Sequence, residues 1–252
     1  PAASLCLSDG YADPAATSAA YMAALARLGV MVLLRRRVLA IPTQAGRVMG
    51  VATDAGLIAA GAVVVAAGAF GNELLAPLGL AVPLDIHMVT VMRSLPGARV
   101  LHQVLGVANA DLAVRQEPDG RFRATSGVEP WHGTLAEAGG SPVVPPVAHT
   151  LGQIVEKVGA VLPAFHDSLI EAFWAGLIDL TPDALPVLDA PGPAGLVVAM
   201  GFSGHGYCLG PVSGQIVAAL VQGQVPDLPI EAFRHARFGA LPARGERVTL
   251  HG

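Results

Sequence analysis

Residues 195–223 read GLVVAMGFSGHGYCLGPVSGQIVAALVQG. The short apolar run GLVVAMG has the length and β-branched content of a buried strand. Glycines at 201, 204 and 206 then allow positive φ and close approach of the backbone to a neighbour. The small-residue stretch that follows reads as a helix ending near Gly223. Strand, glycine turn and helix in this order place unbonded helix-start amides, with their partial positive charge, at the end of a buried strand. Such a place suits something flat or an anionic oxygen. The spacing is not GxGxxG, and a packing turn between strand and helix uses glycine too, so on spacing alone a ligand site and a structural turn stand level.

The flanking sequence builds outward from that unit. Near the start, DPAATSAAYMAALARLG has Pro14 in a first helical turn and apolar residues at helical spacing up to Gly29, a helix closed by glycine. The segment VMVLLRRRVLAI, a turn at QAGR, and RVMGVATDAGLIAAGAVVVAAG read as strands and hairpins. The last run, AVVVAAG, is continuous and is expected to be covered on both faces. Beyond Leu84 the pattern alternates in DIHMVTVMRS and in DLAVRQEPDGRFRATSG, whose PDG is a turn signal, giving an antiparallel sheet with one wet face. A helix is expected from about Leu151 to Val161 and a second around Asp167 to Trp174, followed by the loop DLTPDALPVLDAPGPA. No internal repeat is visible.

Composition narrows the function classes. Of 252 residues 53% are hydrophobic and 13% charged, which excludes a disordered tail, a coiled coil or a small disulfide scaffold. Fifteen basic against nineteen acidic side chains give a net charge of -4, and Lys157 is the sole lysine, so no nucleic-acid partner is expected. Cys6 and Cys208 are far apart and form no ligand cluster, so neither a metal site nor a disulfide is expected. His87, His102, His132, His149, His166, His235 and His251 show no ligand spacing. The mean hydropathy of +0.56 raises the question of a membrane span over the charge-free stretch Ala55–Asn72. Its apolar content is mostly Ala and Gly, without a Trp/Tyr belt or basic flank, and it reads instead as buried strand; no transmembrane segment is expected.

Taken together, WAGLIDLTPDALPVLD, then GLVVAMGFSGHGYCLGPVSGQIVAALV, then IEAFRHARF, resemble the carboxyl-terminal signature of the FAD-dependent D-amino-acid oxidase superfamily. Within it the sarcosine oxidase, dimethylglycine dehydrogenase and glycine oxidase-like enzymes are nearest. DGYADP followed by a helix, RRRVLAI, GRVMGVATDAGLIAAGAVVVAAGAFGNELLAPLGLAVPL and DLAVRQEPDG match that family in the same order, so the resemblance covers nearly the whole chain.

The resemblance implies an α/β (α+β) chain. It is an FAD-binding Rossmann-like fold, incomplete at its N-terminus, with an inserted antiparallel β substrate domain. Residues 1–83 would form the middle of the FAD-binding domain, 84–173 the substrate domain, and 174–252 the return to the FAD-binding domain. The turn Gly201, Phe202, Ser203, Gly204, His205, Gly206 and Tyr207 would lie against the flavin ring, where a helix amino terminus stabilises negative charge at the N1/O2 edge. Val38 would touch the adenine, and Ala67, Gly68 and Ala69 would form the strand end beside the cofactor. His205 is the candidate catalytic residue, with a turn-holding role as the alternative. Phe70 stands where the family often has Trp. Thr181 and Asp183 would order the TPD loop. Arg35–Arg37 would reach an FAD phosphate or end a strand in solvent, and Trp174 could line a pocket.

The departures from the family are as informative. Gly176 stands where some sarcosine oxidases carry a flavin-linking cysteine, so FAD would be non-covalent. Ile178 replaces a carboxylate-binding arginine and Cys208 a carboxylate-binding lysine; these two are the candidate substrate-pocket residues. A larger secondary amine, an opine or an N-methylated compound fits such a pocket better than a small amino acid, and a dehydrogenase is slightly favoured over an oxidase. The family opens with a strand, GxGxxG and helix for the FAD pyrophosphate. GAFGNE and GFSGHG have the wrong spacing for that fingerprint. The chain is therefore expected to be a fragment, or to draw the element from a partner chain. The implied function is oxidation of an amine or amino-acid C–N bond by hydride transfer to flavin N5. The alternative is an incomplete, non-catalytic flavin-fold chain or subunit. A cytoplasmic location, with membrane association only through a partner, completes the expectation.

Overall fold

The computed structural model describes residues 3–107, 112–131 and 133–239. The chain forms two compact units: Pro1–Arg36, Val91–Ser126 and His149–Phe173 in the first, and Arg37–Thr90, Gly127–Ala148 and Trp174–Gly252 in the second. The chain passes from one unit to the other at Thr90/Val91 and at Phe173/Trp174. In addition, the segments before Arg37 and between Gly127 and Ala148 change sides relative to the expected division into 1–83, 84–173 and 174–252.

In the first unit the helix Pro14–Arg27 starts where Asp13 accepts the Ala16 amide at 2.7 Å and Pro14 supplies a pre-set φ. It ends where Gly29 takes a φ of 69°, the left-handed close that glycine allows. The PDG turn closes a hairpin of Leu112–Gln116 on Phe122–Ser126, with Gln116 opposite Phe122 and Leu112 opposite Ser126. Alternation then decides what is inside. Leu112, Val114, Phe122 and Ala124 face Ile154 and Val158 of the helix Ala148–Val161, and Phe165 meets Phe122 edge-on at 5.8 Å. The opposite face is polar. Arg93, Arg123 and Arg115 lie side by side in register, with Glu171 2.9 Å from Arg93 Nε and Glu117 2.8 Å from Arg123 Nη2. Acidic partners offset the repulsion that three adjacent like charges would otherwise cause.

In the second unit Leu196–Met200 is the middle strand of three, parallel to Val63–Val65 and antiparallel to Val187–Asp189. All five of its residues are buried. Val65, Leu75, Val187, Leu196, Val198 and Met200 form one core; Leu188, Ala199, Ile216 and Ile230 form another under the helix Gly206–Val221. Each of these Val, Leu, Ile and Met side chains contributes roughly 1.5–3 kcal/mol by leaving water. A meander of Val38–Ala40, Gly50–Thr53 and Gly56–Ala59 forms a separate antiparallel sheet.

Three expectations are corrected. The predicted helix around Asp167–Trp174 is a strand, Ile170–Leu180, which pairs with Asp85–Ser94. Bulky Ile170, Phe173 and Trp174 suit a pleated surface, and the non-local partner outweighs weak helical spacing. In VMVLLRRRVLAI only Val38–Ala40 is strand; Val30 to Leu34 are exposed. Val63–Val65 is a strand, but Val64 is 40% exposed, because one face opens on a cavity rather than on packed protein.

Candidate functional site

Where the buried strand Leu196–Met200 ends, the chain turns sharply. Gly201, Ser203 and Gly204 take φ of 73°, 51° and 87°, and helix begins at Gly206. Three left-handed residues in four hold only if the surroundings over-determine them. The buried Ser203 does this from inside: its hydroxyl accepts the Thr181 amide at 3.1 Å and lies 3.1 Å from Thr181 Oγ1. The buried Thr181 hydroxyl in turn donates to Leu185 O at 2.9 Å. Ser203 N–H donates to Asp179 O, and Gly201 N–H donates to Asp179 Oδ2 at 2.8 Å.

Around this turn lies a cavity of about 580 Å³. Val64, Ala66 and Gly68 form one wall, Leu177, Ile178 and Asp179 another, and Ala199, Phe202 and Gly204 a third. The helix adds Gly206, Gly210, Ser213, Gly214 and Val217, a stripe of mostly small residues at helical spacing. A methyl at Gly68, Gly210 or Gly214 would meet nothing within 4 Å, so this surface is smooth and open. The first helix-type bond runs from Leu209 N–H to His205 O, so the Gly206 and Cys208 amides have no intrahelical acceptor and give the mouth a partial positive charge. An apolar, mostly uncharged slot beside a helix start matches a flat polycyclic ligand with an anionic edge.

Among the described residues Asp179 is the one ionisable side chain on the cavity wall. Burial pushes its carboxyl above the ordinary carboxylate range, against the lowering effect of the Gly201, Asp179 and Phe202 amides. Among the described residues no arginine, lysine or histidine pairs with it. Asp183, three residues past the strand end, is the opposite case. Burial raises its carboxyl, but Arg237, at 2.7 and 3.2 Å, and the Leu185 amide outweigh that and hold it low, the effect of a close opposite charge. Asp189 is clasped likewise by Arg234 Nη1 at 2.6 Å and the His235 amide.

Residues 1–220 match the sequence family described as DAO, FAD dependent oxidoreductase. The chain belongs to the FAD-dependent oxidoreductase family. FAD is the cofactor of the family, and the small-residue slot beside the helix start is compatible with its ring system. The chain is 29% identical over 194 residues to the D-amino acid dehydrogenase of Cereibacter sphaeroides (strain ATCC 17029 / ATH 2.4.9), covering 73% of this chain and 41% of that protein. Its fold is similar to the L-proline dehydrogenase of P. horikoshii, with a TM-score of 0.78 and 23% identity over 91% of this chain and 60% of that one. The glycine oxidase of Geobacillus kaustophilus gives a TM-score of 0.77, 23% identity, and coverage of 87% and 57%. The chain thus spans between 41% and 60% of the length of these relatives.

Of the residues expected to carry this family's site, Gly68, Ile178, Phe202, Gly204 and Gly206 line the cavity together. Gly201 and Ser203 stand behind the wall and shape the turn. Ala67 and Ala69 flank Gly68 without lining the cavity, and Val38 sits half-buried in the meander strand. His205 is the residue before the helix, with its amide on Phe202 O and its carbonyl accepting from Leu209 N–H and the Cys208 thiol. Tyr207 and Cys208 are exposed and outside the lining, as is Gly176. Arg37 pairs with Glu73 at 3.3 Å in solvent. Phe70 packs edge-on against Trp131 at 6.1 Å, and Trp174 does not line the cavity. His132 and His251 lie outside the described residues; among those described, no three His, Cys, Asp or Glu come together as a metal site, and no helix is long and apolar enough to cross a membrane. Asp179 escaped the sequence reading. Its only signal was a charge inside the otherwise apolar run WAGLIDL.

Proposed function

We propose that this chain supplies part of the active site of an FAD-dependent oxidoreductase acting on the C–N bond of an amine or amino acid, with sarcosine-, opine- or N-methyl-amine-like compounds as the class. The observation that carries this reading is the small-residue cavity at the strand–turn–helix junction. When bound, FAD supplies a two-electron acceptor at N5 for the hydride leaving the carbon that bears nitrogen; the resulting imine is hydrolysed by water. In this reading the chain's residues position and exclude. Gly68, Gly206, Gly210 and Gly214 would let a planar ring approach the backbone, and the helix-start amide of Gly206 would stabilise negative charge on it. Val64, Leu177, Ile178 and Phe202 keep water from the reacting carbon. Gly176, standing where some sarcosine oxidases carry a flavin-linking cysteine, has no side chain to form such a link, so binding in this reading is non-covalent. In the same reading His205 and Tyr207 would stand in the turn against the flavin, with His205 the candidate catalytic residue, Val38 would touch the adenine, and Ala67 and Ala69 would form the strand end beside the cofactor.

The same reading includes a GxGxxG-bearing element for the FAD pyrophosphate, carried by this protein or by a partner polypeptide. The test is purification of the chain with excess FAD, followed by gel filtration and a visible spectrum, alone and with a co-expressed GxGxxG-bearing polypeptide. Retained flavin that bleaches without oxygen on addition of an amine supports the reading. A chain that stays colourless in both cases overturns it in favour of a non-catalytic product.

A further inference from the structure

Asp179 sits where the cavity would otherwise attract anions. Ile178, beside it, carries no charge, and Cys208 is outside the lining. At its strand end the turn's donor capacity is already taken, unlike the helix start beyond Gly204. The Gly201 amide donates to Asp179 Oδ2 at 2.8 Å, and the neighbouring Asp179 and Phe202 amides favour its charged form. A carboxylate presents about four lone-pair positions, so the Gly201 donor at one oxygen leaves it short of partners. Its neighbours on the wall, Val64, Leu177, Ala199 and Phe202, are apolar, and a charge among apolar groups calls for a counter-ion. Among the described residues no cation supplies one.

We propose that Asp179 makes this cavity a site for a cationic amine that lacks a carboxylate, binding the ammonium group through the carboxylate face that the turn leaves open. The proposal rests on the proposed function for its substrate class and narrows it: simple secondary and tertiary amines are accepted, and amino acids are disfavoured because Asp179 repels their carboxylate. The same aspartate thereby serves two ends, fixing the strained turn with one set of lone pairs and selecting the ligand with the other.

The test is calorimetric titration of the FAD-treated chain near pH 7 with N-methylbenzylamine, a cation, and benzoate, an anion of similar size. N-methylbenzylamine is expected to saturate at least tenfold tighter than benzoate, and Asp179→Asn to weaken the amine at least tenfold with benzoate unchanged or improved. Ile178→Arg guards against a misfolded Asp179→Asn. It sets a cation beside Asp179 and is expected to reverse the preference towards benzoate. Equal binding of the two ligands, no saturable binding of either, or amine affinity unchanged in both variants overturns the proposal and leaves Asp179 as an anchor of the turn alone. Flavin content is read from the spectrum of each sample. Amine selectivity in colourless protein refutes the FAD reading and keeps this one; yellow protein without amine selectivity does the reverse.

Discussion

Gly201→Ala tests whether the turn is held by the geometry described. Gly201 takes a φ of 73°. In that region an L-residue is strained by roughly 1–2 kcal/mol. A Cβ there would also lie 2.4 Å from Thr181 Cγ2 and 3.4 Å from Leu84 Cδ2. Thr181 is 4% exposed and its hydroxyl is committed to Leu185 O and Ser203, so it cannot swing away without losing those bonds. Overpacking of this kind costs about 1–3 kcal/mol. The two effects sum to about 2–5 kcal/mol, a large share of the roughly 5–15 kcal/mol typical of a folded domain. Urea unfolding followed by tryptophan fluorescence and circular dichroism measures it as a fall in midpoint at constant slope. Thr181→Ser removes the obstructing methyl and keeps the hydroxyl, at about 0.8 kcal/mol for the lost buried carbon. The double variant should therefore be more stable than the sum of the singles by about 1–3 kcal/mol, with the φ strain remaining. A Gly201→Ala protein within about 0.5 kcal/mol of the parent, the size of an ordinary surface change, or a cycle without coupling, refutes the account.

Asp183→Asn removes a carboxyl whose folded-state proton affinity is lowered, so its stabilising contribution is present above the ordinary carboxylate range and lost as pH falls through the folded value. The variant should lose about 1 kcal/mol at pH 7 after solvent screening and show a shallower acid-induced loss of melting temperature; an unchanged acid profile contradicts this. Asp179 acts with the opposite sign. Its folded-state proton affinity is raised, so stability grows as pH falls through the folded value and is complete below the unfolded one. Comparing the urea midpoints of the parent and Asp179→Asn from pH 7 to 4 should show that rise flattened in the variant. In the other unit, Phe165 packs with Phe122, Ile154 and Val158. Phe165→Ala leaves a cavity against them and should cost about 3–5 kcal/mol in the same urea assay.

What the sequence revealed was what is local. Leu196–Met200, the three glycines and the helix after them are adjacent in the chain, and each states its conformation in its own residues: β-branched, permissive, then small and helical. The PDG hairpin and the helix Ala148–Val161 were legible for the same reason. Ile170–Leu180 was not, because its conformation is set by Asp85–Ser94, far earlier in the chain, and its own exposed and half-buried residues carry no clean period of two. Val64 misled in the other direction. A three-valine run looks like buried strand, and only the cavity beside it explains an exposed valine in the middle.

The same distinction decides which site residues could be named in advance. His205 drew attention because it stands in the turn that the family resemblance sets against the flavin, yet its main-chain groups do the visible work at the helix start. Asp179 drew none, because an aspartate two residues before TPD reads as part of a loop. Its importance comes from the turn 22 residues later, whose amides close on it, and from the apolar wall that isolates its charge. A charged residue inside a hydrophobic strand is costly unless its partners are built elsewhere in the fold. Such a residue, met in a strand that ends at a glycine turn, is therefore the one to follow first, ahead of the side chains whose chemistry is familiar.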